Sequence, residues 1–348
     1  MLKVTSPALL LLILLLASCQ DSSRVDPLST EELDVVPAQW TRFDQMIAAL
    51  DTSHLTRSVE SLREAEPVLT SLYLAQIMKM VVPADSFLLD TIALSAFLHS
   101  DAYRDIEGMI AASYGSGDEM PVDLQEALAR YHKHFPERDI PHISTVNTEF
   151  GYFPFLYETA LSQDAVGVSL DMFLGESMDY TVLSRQSEAF SAYNSHLFLA
   201  EYIPVKVIEI LVDDMVSYPE SGDLLDAMLY KGVKRHYMRK CLEHLPEHMA
   251  LDYTVDQLQW CRDNEQDIWR YILTDGQLYK RSLTRQLTEP APTSPGMPPA
   301  SPGRAASYIG YEIIQAYERQ MGAEATRKLL TSRDAQSILR DSKYKPKR

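Results

Sequence analysis

The stretch PVKVIEILVDDMVSYPESGDLLDAMLYKGVKRHYMRKCLEH, Pro204 to His244, decides the fold class. Pro204 suits the first turn of a helix, where its missing N–H is no loss. Val207, Ile208, Leu211, Val212 and Met215 then form one apolar stripe at three- and four-residue steps. Tyr218-Pro219 interrupts the pattern. A second helix is predicted from Asp223 to about His244, closed by Pro246, which lacks the amide a helix needs. Thr254-Val-Asp-Gln257 has the spacing of a capping box, and Leu258, Cys261, Ile268, Trp269 and Ile272 fall on one helical face behind it. Residues 289–303 (EPAPTSPGMPPASPG) are dense in proline and read as a loop. Tyr308, Ile309, Ile313, Ile314, Tyr317 and Met321 mark another helix, Ser332 is the expected cap of a short last one, and residues 341–348 form a basic tail.

Toward the N-terminus, apolar residues recur at helical steps from Glu31 to about His134, as at Trp40, Phe43, Met46, Ile47 and Leu50, with a break at Pro67. Ile143 to Phe150 and Ala165 to Leu170 are short β-branched runs, which predict a two-stranded β element. The expected fold is therefore α+β, predominantly helical with a small β element, as a single domain over residues 31–340. Composition agrees: 46% hydrophobic and 23% charged residues can build a large core, and thirteen Gly in 348 residues are too few for a Gly-rich all-β architecture. No period of repeat length recurs, which argues against a solenoid.

Residues 1–18 read as an export signal. Lys3 precedes the apolar run Ala8 to Ala17, too short to span a bilayer. Leu16-Ala17-Ser18-Cys19 resembles the bacterial lipobox, so Cys19 is the expected site of diacylglycerol attachment and residues 19–30 an acylated tether. Several acyl chains make a stable anchor where one is marginal. Gln20, in place of the Asp that signals inner-membrane retention, favours the outer membrane, with the periplasmic face preferred. Cleavage removes Lys3 and no acid, taking the formal charge from −17 to −18. So acidic a surface repels phosphate, which argues against nucleic acid as a partner. Cys241 and Cys261, the remaining cysteines, could form a bridge or stay as buried thiols.

Few motifs carry chemistry. His244-Leu-Pro-Glu-His248 matches the inverted zincin pattern H-x-x-E-H by letters, but Pro246 prevents one continuous helix from presenting both imidazoles. His132 and His134 are two apart and diverge on a helix, as do the carboxylates of Asp213 and Asp214. H-E-x-x-H, C-x-x-C, G-x-S-x-G, Walker A and G-x-G-x-x-G are absent from the sequence. Nineteen Tyr against ten Phe supply amphipathic rings suited to contact surfaces or to a helical core.

Several strings resemble the gliding-motility lipoprotein GldB family of Bacteroidetes: His134-Phe135-Pro136 with Ile140-Pro141; Gly167-Val-Ser-Leu-Asp-Met-Phe-Leu-Gly175; Leu224-Leu-Asp-Ala-Met-Leu-Tyr230 with Gly232; Tyr253-Thr-Val-Asp-Gln-Leu-Gln-Trp260 with Asn264, Glu265, Ile268 and Trp269; Ser301-Pro-Gly-Arg304 with Tyr308-Ile-Gly-Tyr311; and Asp341-Ser-Lys-Tyr-Lys-Pro-Lys347. The resemblance implies a lipid-anchored accessory of gliding motility, coupled to the type IX secretion machinery. It also implies a distantly zincin-like fold, since the family looks like a group of sequence-predicted zinc peptidases. Here the corresponding helix, Asp226 to Lys234, has no histidine pair and carries Lys231, so no metal or other cofactor is expected. The reading is of a noncatalytic envelope protein acting through protein contacts, with Cys19 as anchor and Arg304, Tyr308 and Tyr311 as an interaction surface at the mouth of the Pro-rich loop. The alternatives are a zinc-dependent peptidase-like hydrolase with dispersed ligands and a surface lipoprotein that binds glycan or peptide.

Overall fold

Local capping chemistry sets many of the helix starts in the computed structural model, which describes residues 27–82, 85–218 and 222–347. Cys19 and the export signal lie outside the described residues. Ser29 accepts the N–H of Glu32 while the Glu32 carboxylate accepts that of Ser29, and α1 (Thr30–Asp34) begins there. α2 (Phe43–Ala48), α3 (Leu55–Ala65) and α4 (Pro67–Leu72) follow, Pro67 opening α4 with its ring in the first turn. Trp40 stands ahead of α2 rather than in it, its backbone N–H donating to Asp118. A hairpin of β1 (Val81–Val82) and β2 (Asp85–Leu89) leads into α5 (Thr91–Leu98), α6 (Asp101–Tyr114) and α7 (Val122–His134), with Asp90 and Ser100 capping the first two. Phe43, Ile47, Val59, Leu69, Tyr73 and Leu94 gather in a core formed by this N-terminal part.

The sheet has three strands rather than the expected two. β3 (His142–Val146), β4 (Phe155–Glu158) and β5 (Asp164–Ser169) lie in the order β3-β5-β4. β5 runs parallel to β3, with Val166 opposite Ile143, and antiparallel to β4, with Val166 opposite Leu156. β4 is four residues long and only half-buried, too short to show an alternation in sequence. At Gly167 a Cβ would meet the Phe155 ring at 2.3 Å, so the ring would have to shift to admit a side chain.

Short 3₁₀ turns carry the chain from Leu170 to Tyr202, with Tyr180 stacked on Phe198. α8 (Ile203–Met215) then starts with Pro204 in its first turn, and Asp223 caps α9 (Leu224–Cys241). α9 stops at Cys241, a few residues before the expected end near His244; Pro246 has no N–H to offer the Leu242 carbonyl, which accepts from Arg239 together with that of Leu245. Pro246 precedes α10 (Glu247–Ala250). The Thr254–Gln257 capping box opens α11 (Val255–Asp263) as expected, but Asn264 separates it from α12 (Glu265–Leu273) by donating its side-chain amide to the Trp260 carbonyl. α13 (Thr284–Thr288) leads to the Pro-rich loop, then α14 (Ala305–Met321), α15 (Ala323–Lys328) and α16 (Ala335–Ser342). Asp334, not Ser332, caps α16, accepting from the N–H groups of Gln336 and Ser337.

α9 and α14 form the centre. α9 is buried around nearly its whole circumference, as befits a helix with no clear polar face. Gly232 and Gly310 let the two backbones touch: a Cβ on Gly310 would lie 1.9 Å from the Met228 carbonyl oxygen, and one on Gly232 2.4 Å from that of Gly310. The result is a predominantly helical α+β fold. Among the described residues no helix is long and apolar enough to cross a membrane.

Candidate functional site

The polar face of α8 and the middle of α9 supply charges that are half-buried or buried. Lys206 and Glu209 stand one turn apart on α8, 2.8 Å from each other. Arg235 of α9 lies 3.2 Å from Glu209 and 3.2 Å from Asp252, in the turn after α10. Arg304, just ahead of α14, pairs with the same Asp252 carboxylate, and Lys206 stands 3.9 Å from its other oxygen. Burial works against ionising Asp252, yet Arg304, Lys206 and Arg235 outweigh it and hold the carboxyl below its usual range. Burial likewise opposes the Glu209 charge, and Lys206 and Arg235 override it.

The cluster forms the floor of a cavity of about 920 Å³. Its walls come from Phe153, the 3₁₀ segment bearing Tyr193 and Leu197, Leu251 and Tyr253, α13 and the start of the Pro-rich loop. The loop has neither helix nor strand but is internally tied. The Ser294 hydroxyl donates to the Pro302 carbonyl, both Ser294 and Ser301 are buried, and Gly303 packs so tightly on Ala291 that a Cβ would lie 2.3 Å from its carbonyl oxygen. Its far end places Arg304 with φ of 63°, and Asp252 also has φ of 63°, so both partners of the central ion pair hold left-handed backbones that most side chains avoid. Such conformations persist only where the surroundings enforce them. Here the Tyr253 hydroxyl donates to the Arg304 carbonyl and the Tyr253 ring lies under the guanidinium.

Arg304, Tyr308 and Tyr311 are thus brought together, but at the inner wall of the cavity, with exposures of 7%, 2% and 2%. The Tyr308 hydroxyl faces Glu265 at 3.4 Å and that of Tyr311 faces Glu247 at 3.5 Å. Glu265 also accepts from the Tyr344 hydroxyl and the Lys347 N–H, which fastens the basic tail to α12. Lys206, Glu209, Arg235 and Asp252 were missed in sequence. The signal was present, since Lys206 and Glu209 lie opposite the apolar stripe of α8, but a polar helix face ordinarily reads as solvent-facing.

The other candidates scatter. His244 bonds the Asp123 carbonyl, while His248 belongs to α10 beyond Pro246. Asp213 pairs with Lys234 at 2.5 Å and Asp214 with Arg138 at 2.5 Å, so the two neighbours point apart. Among the described residues no group of three or more His, Cys, Asp or Glu is placed to hold a metal ion. Cys241 and Cys261 are buried free thiols, and burial pushes the Cys261 thiol up to about 12.

A family model described as "Gliding motility protein GldB" matches residues 26–346. Comparison with curated proteins and with solved structures finds no match.

Proposed function

Because this chain belongs to the gliding motility protein GldB family, we propose that it serves gliding motility as a noncatalytic, lipid-anchored component of the cell envelope. In this reading Cys19 carries the acyl chains, the anchor sits in the outer membrane facing the periplasm, and the helical body contacts proteins of the motility and type IX secretion apparatus. The observation that carries it is the family match over residues 26–346 directly behind a lipobox at Leu16 to Cys19.

Replacing Cys19 with Ala in the chromosomal copy tests the anchor and the role together. The expected outcome is release of the protein from the membrane fraction and loss of spreading on agar. A variant that stays with membranes after carbonate washing contradicts the anchor, and full motility of cells lacking the whole chain contradicts the role. Crosslinking in living cells is expected to capture envelope proteins of the same apparatus.

A further inference from the structure

The floor of the cavity is not electrically balanced. Among the described residues Lys206, Arg235 and Arg304 form ion pairs with two carboxylates, Glu209 and Asp252, and one positive charge remains over in a buried to half-buried setting. Arg304 is more than nine-tenths buried, and its Nε has no hydrogen-bond partner. A buried guanidinium donor without an acceptor is costly, and guanidinium groups suit the two-oxygen geometry of carboxylate and phosphate. The entrance repeats the bias. Arg281 and Arg285 are exposed on the lip, and neither has a carboxylate partner among the described residues. The described lining carries six cationic side chains against four acidic ones, in a protein whose formal charge is −17. A concave site focuses such a local field, so the cavity draws anions that the remaining surface repels.

The walls are of another kind. Phe153, Tyr193, Leu197 and Pro295 present apolar and aromatic surface. The volume of about 920 Å³ lies at the upper end of the range typical of small-ligand sites. We propose that this cavity binds a small amphipathic anion, its oxyanion head, carboxylate or phosphate, held over Arg304 and Lys206 and its apolar or aromatic body against Phe153, Tyr193 and Leu197. The proposal does not depend on the lipid anchor or on the motility reading.

Calorimetric titration of the full acylated chain in detergent tests it with four probes: N-acetyltyrosine, phenyl phosphate, inorganic phosphate and the neutral N-acetyltyrosinamide. Saturable binding of N-acetyltyrosine, of phenyl phosphate or of both is expected, and which of the two binds tells carboxylate from phosphate. The neutral amide should bind about tenfold or more weakly than the acid, and affinity should fall with added salt. The double variant Arg281→Gln/Arg285→Gln alters only exposed side chains, so it should keep the wild-type melting temperature and weaken anion binding about tenfold. Arg304→Gln should abolish binding; if it fails to fold, the lip variant still decides. Absence of saturable binding by either organic anion, equal affinity for the amide, or undiminished binding in a folded lip variant overturns the proposal. Inorganic phosphate binding as tightly as phenyl phosphate overturns the assignment of the apolar wall.

Discussion

Asp252 is the residue on which the buried ionic cluster turns, because two guanidinium groups and an ammonium converge on one carboxylate that is 3% exposed. Removing one partner from such a group strands the other charges away from water, which costs about 3–5 kcal/mol. Asp252→Asn is therefore expected to lower the free energy of unfolding in urea by about that amount, whereas Arg281→Gln on the lip should change it by less than about 0.5 kcal/mol. The cysteines give a second expectation at this scale. Cys241 and Cys261 are both fully buried or nearly so, and burial raises both thiols far above their usual range. Ellman's reagent should leave Cys241 and Cys261 unmodified in the native chain and titrate both after denaturation without reductant. Finding neither thiol in the denatured chain would mean a bridge. At the residue scale the sequence was informative where backbone chemistry acts alone, as with Pro204, Asp223 and the Thr254–Gln257 box. It was silent on Asp252, a lone acid in a turn whose partners arrive from three other elements.

The start of α9 follows from its Asp223 cap and its end from Pro246, which has no N–H for the Leu242 carbonyl, so Arg239 supplies the donor. A continuous helical face from Leu258 to Ile272 was legible, and its residues do face inward, yet the Asn264 amide divides it into two helices. Glycine separates the two roles an element can play. On α6, Gly108 has open space where a Cβ would go, so Gly108→Ala should stabilise the protein by about 0.5–1 kcal/mol through helix propensity alone. On α14 the same change at Gly310 would drive a Cβ into the α9 backbone, and backbone cannot swing aside. Gly310→Ala should destabilise by about 3 kcal/mol or prevent folding. Thermal melts of the pair are expected to shift in opposite directions, and equal shifts would contradict the close crossing of α9 and α14.

For the molecule as a whole, pH is the informative variable. Burial raises the carboxyl of Glu107 to about 7, and that of Asp171 to about 6 despite the N–H groups of Thr148 and Phe150 that it accepts. Both acids hold a proton more tightly folded than unfolded. Their contribution to stability is complete below the ordinary values of 4.5 and 3.8 and is lost as pH rises through the folded values. The share of stability that these two carboxyls supply should accordingly fall between about pH 4 and 7, and Glu107→Gln should remove on the order of 2 kcal/mol of that fall. A variant with the wild-type pH profile would contradict the burial of this carboxyl. The sequence by itself determined the helical α+β class, because apolar periodicity, proline and capping residues act within a few positions along the chain, and its strings resembled the gliding-motility family whose model matches residues 26–346. Only the tertiary structure decided the third strand, the Gly232–Gly310 contact and the charged cavity, because each is made by groups far apart in sequence. Lys206 and Glu209 look the same on a helix that faces water and on one that faces Arg235, Asp252 and Arg304; packing alone tells them apart.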